Sequence, residues 1–306
     1  MPAWTTLDGA PPRIIAHRGA SGLRPEHTLA AYQLAIEQGA DLIEPDLVPS
    51  RDGVLFARHE RNLSHSTDIA GRAEFSHRAE KPGGGARHWR IDQLLGSEVD
   101  QLRARQAFAG RDLSFDGQFA IPRFEQVVAL ARKQWLSGRQ LGVYPEIKHP
   151  DELRREGIDA TGLLINALRR LHVAGHDSPV WVQCFERWPL DQVRQDCGNK
   201  VFALFEASHR TRGNWLQRLH QESPWLDGIA LPKSMLIGPH RQVGLSAAAH
   251  ELGWQVHVYT LRDDSVATGF ASVEEEFSAL FAEGVDALFC DFPATGLAAR
   301  AAFGAA

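Results

Sequence analysis

At 306 residues with 43% hydrophobic content, the chain can bury one sizeable core and is too long for a small recognition module. A formal net charge of -5 supplies no broad basic field, which sets nucleic-acid partners aside. Cys184, Cys197 and Cys290 are widely spaced and odd in number, arguing against a disulfide framework or a cysteine-rich zinc site and for buried free thiols.

The amino terminus from Met1 to Asp8 lacks the positive and apolar regions of a secretory signal, and no stretch is long enough to span a bilayer. The expectation is a cytoplasmic protein without a transmembrane segment, or a periplasmic one if a signal has been trimmed from it. Eight short apolar runs then recur along the chain: Arg13–Ala16, Leu42–Leu47, Leu141–Ile147, Val180–Phe185, Val201–Phe205, Gly228–Leu231, Gln255–Tyr259 and Ala287–Cys290. Helical patterns separate them. Thr28 can cap a helix whose Leu29, Tyr32, Ala35 and Ile36 share one face, with Gly39 as its stop. Phe124, Val127, Val128 and Ala131 form a second stripe between Pro122 and Gly138. Continuous apolar strands alternating with helices, in this number, predict an α/β fold: a single (β/α)8 TIM-type barrel spanning 1–306.

One stretch breaks the alternation. Residues 61–121 are polar and irregular, contain Gly83, Gly84, Gly85 and several arginines, and follow the second strand region. So long a connection in a compact fold commonly carries function, so it is read as an insertion capping the barrel mouth.

Glu44 and Asp46 lie two apart at a predicted strand end, so both side chains point to one face with Cα atoms about 7 Å apart. Such carboxylates repel unless a cation lies between them or one is protonated, and Glu146 at another strand end is a candidate third ligand. An oxygen-only set suits one divalent cation, Mg²⁺ or Ca²⁺, with Mn²⁺ also acceptable, rather than zinc. Pro45 between the two acids cannot donate to a ladder and makes that strand locally irregular.

His17 ends the first strand and is followed by Arg18 and Gly19. His59 follows a short run that the Asp52-Gly53 turn leads back toward the Glu44/Asp46 strand, so both histidines can reach one mouth. Cleaving a phosphodiester needs a base, an acid and neutralisation of the nonbridging oxygens. His17 and His59 suit the first two tasks; the Arg18 fork and the Lys148 point charge suit the third. Gln183 and Phe185 share one strand face and His257 and Tyr259 another, so these pairs, with Trp254, are possible pocket residues or packing beneath it.

At these residues the chain resembles the glycerophosphodiester phosphodiesterase family, particularly its longer bacterial branch, over nearly its whole length. His17 to Gly22 and Pro25 to Leu29 resemble one signature; Gly39 to Asp41 leading to Glu44, Asp46 and Leu47 resembles a second. Asp52-Gly53 before His59, Tyr144 to Lys148, Gln183 to Phe185 and Asp291 to Pro293 continue it in order. The resemblance implies a TIM-type barrel with an insertion after its second strand region. It also implies hydrolysis of small glycerophosphodiesters, such as glycerophosphocholine or glycerophosphoethanolamine, to glycerol 3-phosphate and an alcohol. Glu44, Asp46 and Glu146 would then be metal ligands, His17 and His59 the acid/base pair, and Arg18 with Lys148 the phosphate clamp. Many relatives have Trp and Asn where this chain has Tyr259 and Arg262, a difference that bears on headgroup choice. The alternative activity is a lysophospholipid phosphodiesterase of phospholipase D type, for which Trp89, Phe108, Phe115 and Phe119 of the insertion are the candidate apolar surface.

Overall fold

In the computed structural model, which describes residues 4–207, 213–239 and 241–305, all eight apolar runs become parallel strands. β1 (Arg13–His17), β2 (Leu42–Glu44) and β3 (Asp46–Pro49) lead into β4 (Leu55–Ala57), which turns back antiparallel on β3. β5 (Gly142–Val143), β6 (Glu146–Ile147), β7 (Val182–Cys184), β8 (Val201–Leu204), β9 (Gly228–Pro232), β10 (Gln255–Leu261) and β11 (Ala287–Cys290) follow.

Two of the expected strands are each split in two. Pro45 interrupts β2/β3 and Pro145 interrupts β5/β6, because neither residue has an N–H to donate. Their carbonyls still accept, Pro45 O from Glu146 N and Pro145 O from Gln183 N at 3.0 Å each, so the staves stay paired through both breaks. β1 pairs with β11 and β2, β2 with β5, β3 with β6, and β6 through β11 pair in succession. Counting each split pair as one stave, the ring closes with eight members, which is a (β/α)8 barrel with β4 appended outside it.

The helices are α1 (Leu29–Gln38), α2 (Gly96–Val99), α3 (Phe124–Leu136), α4 (Pro150–Arg155), α5 (Ala160–Arg170), α6 (Arg187–Cys197), α7 (Trp215–Glu222), α8 (Leu245–His250), α9 (Val273–Ala282) and α10 (Pro293–Ala305). α1 begins and ends where its sequence requires: Thr28 accepts from Ala31 N, and Gly39 closes the helix at φ 103. Tyr32, Ala35 and Ile36 are buried on the barrel side. Among the described residues, no helix is long and apolar enough to cross a membrane.

Three apolar clusters result among the described residues. The largest lies between strands and helices. A second fills the barrel interior with Ile15, Leu42, Tyr144, Trp181, Phe202 and Phe289, the inward positions of strands that alternate with period two. The third belongs to residues 61–121, where Leu63, Ile69, Phe75, Trp89, Ile91 and Leu102 pack on Val48 and Phe56. That segment is therefore ordered through short 3-10 turns, isolated bridges and a core of its own, although its sequence shows no regular period.

Candidate active site

The parallel registers bring the candidate carboxylates together. His17 pairs with Glu44 across β1 and β2, Asp46 with Glu146 across β3 and β6, and Glu146 with Gln183 across β6 and β7. In-register neighbours on parallel strands point the same way, so the inward positions at the carboxyl ends of these staves converge. Glu44, Asp46 and Glu146 each offer an oxygen within 4.8 Å of the other two, and all three are buried.

That arrangement is electrostatically incomplete. Burial, then the Asp46 and Glu146 charges, push Glu44 well above the usual carboxylate range, and burial pushes Glu146 up to about 8. Asp46 is also opposed by burial, but Lys148, His59 and His27 hold it low. Asp46 Oδ1 is buried without a hydrogen-bond partner. An orphaned carboxylate oxygen among three converging acids fits an oxygen-liganded divalent cation.

Each surrounding side chain has a fixed anchor. Arg18, at φ 60, donates its backbone N–H to Glu44 Oε2 at 2.9 Å and its Nη1 to Glu26 Oε2 at 2.7 Å, while its Nε lies 3.4 Å from Asp46. Lys148 Nζ donates to Glu146 Oε1 at 2.8 Å, and Gln183 Nε2 donates to Glu44 Oε1 at 3.1 Å. His17 Nδ1 donates to Asp291 Oδ1 at 2.7 Å, since a carboxylate can only accept. Burial, then Arg18, lower the His17 pKa against the opposing pull of Asp291. His59 Nδ1 lies 2.6 Å from Glu60 Oε1. In both histidines a carboxylate engages Nδ1, which leaves Nε2 as the nitrogen available to a substrate.

A pocket opens at this end of the barrel. His17, Arg18, Glu44, His59, Glu146 and Lys148 line it, with Gln183, Phe185 and Tyr259 on its wall. Asp46 is not on that lining and is 1% exposed. Trp254 does not line this pocket. It immediately precedes β10, at the opposite end of the barrel, where it is buried against His220 with ring centroids 5.0 Å apart. His257 also packs in the barrel, stacked on Phe202 at 4.3 Å. Trp89 is likewise removed from any apolar surface: it is 3% exposed and donates Nε1 to Phe75 O at 2.8 Å.

Several residues of the site carried no role in the sequence reading. Glu26 anchors Arg18; His27 Nε2 donates to Asp46 Oδ2 at 2.9 Å while its Nδ1 accepts from Tyr32 Oη at 2.8 Å; Asp291 orients His17. Burial pulls His27 down to about 4, so it meets Asp46 as a neutral donor. All three lie inside motifs already quoted, which was the available signal. Arg262, just past the end of β10, lines the pocket and donates Nε to Asp291 Oδ2 at 3.0 Å.

Residues 17–295 match the Glycerophosphoryl diester phosphodiesterase family. A glycerophosphodiester phosphodiesterase of Arabidopsis thaliana is 29% identical, over 94% of this chain and 85% of its own length. One from Treponema pallidum is 26% identical over 93% and 90%. Among solved structures, an Oleispira antarctica phosphodiesterase in complex with sn-glycerol-3-phosphate superposes with a TM-score of 0.70 at 22% identity, covering 96% of this chain and 98% of the other.

Proposed function

The chain belongs to the glycerophosphoryl diester phosphodiesterase family and is a phosphoric diester hydrolase; from that premise we propose that it cleaves small glycerophosphodiesters, such as glycerophosphocholine, with His17 and His59 as acid and base. The observation that carries the reading is the convergence in one pocket of two histidines, each with Nδ1 held by a carboxylate, on a buried three-carboxylate cluster. Asp46 Oδ1, buried with no hydrogen bond and only Lys148 Nζ at 3.9 Å, supports a divalent cation held by Glu44, Asp46 and Glu146. Such a cation supplies Lewis-acid polarisation of a phosphoryl oxygen when bound.

The chain's own groups account for the proton traffic. One histidine takes the proton of the glycerol hydroxyl adjacent to the phosphoester as that oxygen attacks phosphorus. The other protonates the departing alkoxide, so the headgroup leaves as an alcohol and a cyclic phosphate remains. In a second step the roles exchange: water loses its proton to the histidine that had acted as acid, and the ring oxygen receives one from its partner. Arg18 and Lys148 hold the nonbridging oxygens, with Gln183, Phe185 and Tyr259 against the headgroup. Segment 61–121 covers the mouth, a role supported by Gln106 and Arg111, which both reach the Ser21 carbonyl beside the site. The three unpaired, buried thiols favour a reducing, cytoplasmic setting.

The test combines chelation with metal add-back and scores glycerol 3-phosphate release from glycerophosphocholine and glycerophosphoethanolamine. Activity lost to chelator and restored by Mg²⁺ or Ca²⁺ is expected, as is loss of about 10³-fold or more in kcat for His17→Ala and His59→Ala. Full turnover in either variant overturns the assigned roles, and choline release from lysophosphatidylcholine alone selects the lipid substrate instead.

A further inference from the structure

Asp291 is the hub that ties segment 61–121 to His17. Its Oδ1 accepts from His17 Nδ1, and its Oδ2 accepts from Arg262 Nε and, at 2.5 Å, from Arg111 Nη2. Arg111 belongs to the insertion and lies 180 residues from Asp291 in sequence. Its side chain is 3% exposed and does not line the pocket, so it neither meets solvent freely nor forms part of the pocket wall. Its Nε donates to Asp264 Oδ2 at 2.7 Å, its Nη2 also reaches Asp264 Oδ1 at 3.2 Å, and its Nη1 donates to Ser21 O at 3.2 Å.

The Ser21 contact leads back to the same histidine. Ser21 Oγ donates to the His17 carbonyl at 2.8 Å, so Arg111 grips His17 from both sides: through Asp291 at its ring and through Ser21 at its backbone. The loop between them has no slack. Gly22 N donates to Asp291 O, and a Cβ at Gly22 would sit 2.2 Å from the Phe292 ring.

We propose that Arg111 is a positioning residue for the reaction, supplied by the insertion to lock Asp291 and hence the ring of His17. A buried carboxylate that loses one of its two cationic partners has a free lone pair and can rotate toward the other, taking the hydrogen-bonded imidazole with it. Misplacing an acid/base group lowers the chemical step while leaving substrate binding nearly intact, because Arg18 and Lys148 are not part of this network. The inference rests on the acid/base role given to His17 above.

Steady-state kinetics on the full chain test it with four variants. Arg111→Ala is expected to lower kcat about 10–100-fold with KM within about threefold. Arg111→Lys, which keeps a charge for Asp291 but cannot also span Asp264 and Ser21, recovers part of that loss and remains decisive if the alanine variant fails to fold. Asp264→Asn removes only the outer partner of Arg111 and is expected to keep kcat within about threefold of wild type. A folded Arg111→Ala with wild-type kcat overturns the inference; where that variant does not fold, wild-type kcat in Arg111→Lys does so. An Asp264→Asn defect equal to that of Arg111→Ala also overturns it, by reducing Arg111 to a surface clamp. His17→Ala separates the two readings: full turnover there removes the role of His17, whereas an inactive His17→Ala beside unaltered Arg111 variants removes only this inference.

Discussion

His257 and His17 both face inward from barrel strands, yet their surroundings set them to different tasks. His17 stands at a stave end with Asp291 on Nδ1 and the pocket beyond. His257 sits deeper, accepting from Tyr144 Oη at 2.9 Å on Nδ1 and donating Nε2 to Gln255 Oε1 at 3.1 Å, between Phe202 and Trp181. Burial in this aromatic layer pulls its pKa from 6.5 to about 3, with Asp286 opposing and Arg13 reinforcing the shift. A histidine kept neutral by the fold costs stability when the unfolded chain can bind the proton instead. The contribution is therefore intact above pH 6.5 and is lost progressively as pH falls toward 3. By pH 4.5 the wild type should have lost about 2–3 kcal/mol that His257→Gln does not lose, as read from urea midpoints at both pH values. Equal losses in the two proteins would show that another group governs the acid limb.

At the scale of elements, the turn from β1 to α1 does two jobs within a dozen residues. It carries His17 and Arg18 into the site, and it starts the helix that shields β1 and β2. Gly19 makes the turn possible: its φ is 85, and an added Cβ would meet the Ala31 backbone carbon at 2.7 Å. Thr28 then caps the helix with a buried hydroxyl. The two features differ in weight. Thr28→Ala removes one cap bond and is expected to cost about 1 kcal/mol. Gly19→Ala adds left-handed strain to a backbone clash and should cost on the order of 2 kcal/mol or more while also lowering kcat. Denaturant titration of both variants beside a turnover assay checks the ranking, which reverses if the cap outweighs the turn.

For the molecule as a whole, the main question is how an irregular stretch of this length becomes part of a rigid enzyme. Its apolar cluster is continuous with Val48 on β3 and Phe56 on β4, so barrel and insertion share a packing surface. Ion pairs tie it further: Arg61 meets Asp92 within the segment at 2.6 Å, and Glu152 and Glu156 at α4 at 3.2 and 2.7 Å. The exposed members of that set contribute little individually, and the buried cluster carries most of the attachment. Trp89→Ala should therefore cost about 3–5 kcal/mol and loosen the whole segment, appearing as proteolytic cleavage within 61–121. Because Arg111 lies in that segment, turnover should fall with it. A variant that is cleaved there yet keeps full activity would mean that the insertion is dispensable for catalysis.

The barrel, its eight staves and the ends of α1 were legible in the pattern of the chain. Period-two alternation and helix punctuation are local properties that survive without knowledge of partners. Short motifs and strand spacing both pointed at Glu44, Asp46, Glu146, His17, His59, Arg18 and Lys148, which the fold gathers at one end of the barrel. Only the tertiary structure decided what holds them. Asp291 meets His17 across 274 residues because β11 closes the ring against β1, and no local pattern encodes that closure. Tertiary packing also sent Trp254 to the far end of the barrel and Trp89 into a small core, because an aromatic residue's sequence neighbours do not reveal which surface will cover it. Arg111, in a stretch without periodicity, reaches Asp291 and the Ser21 carbonyl only because segment 61–121 folds back on the loop beside His17.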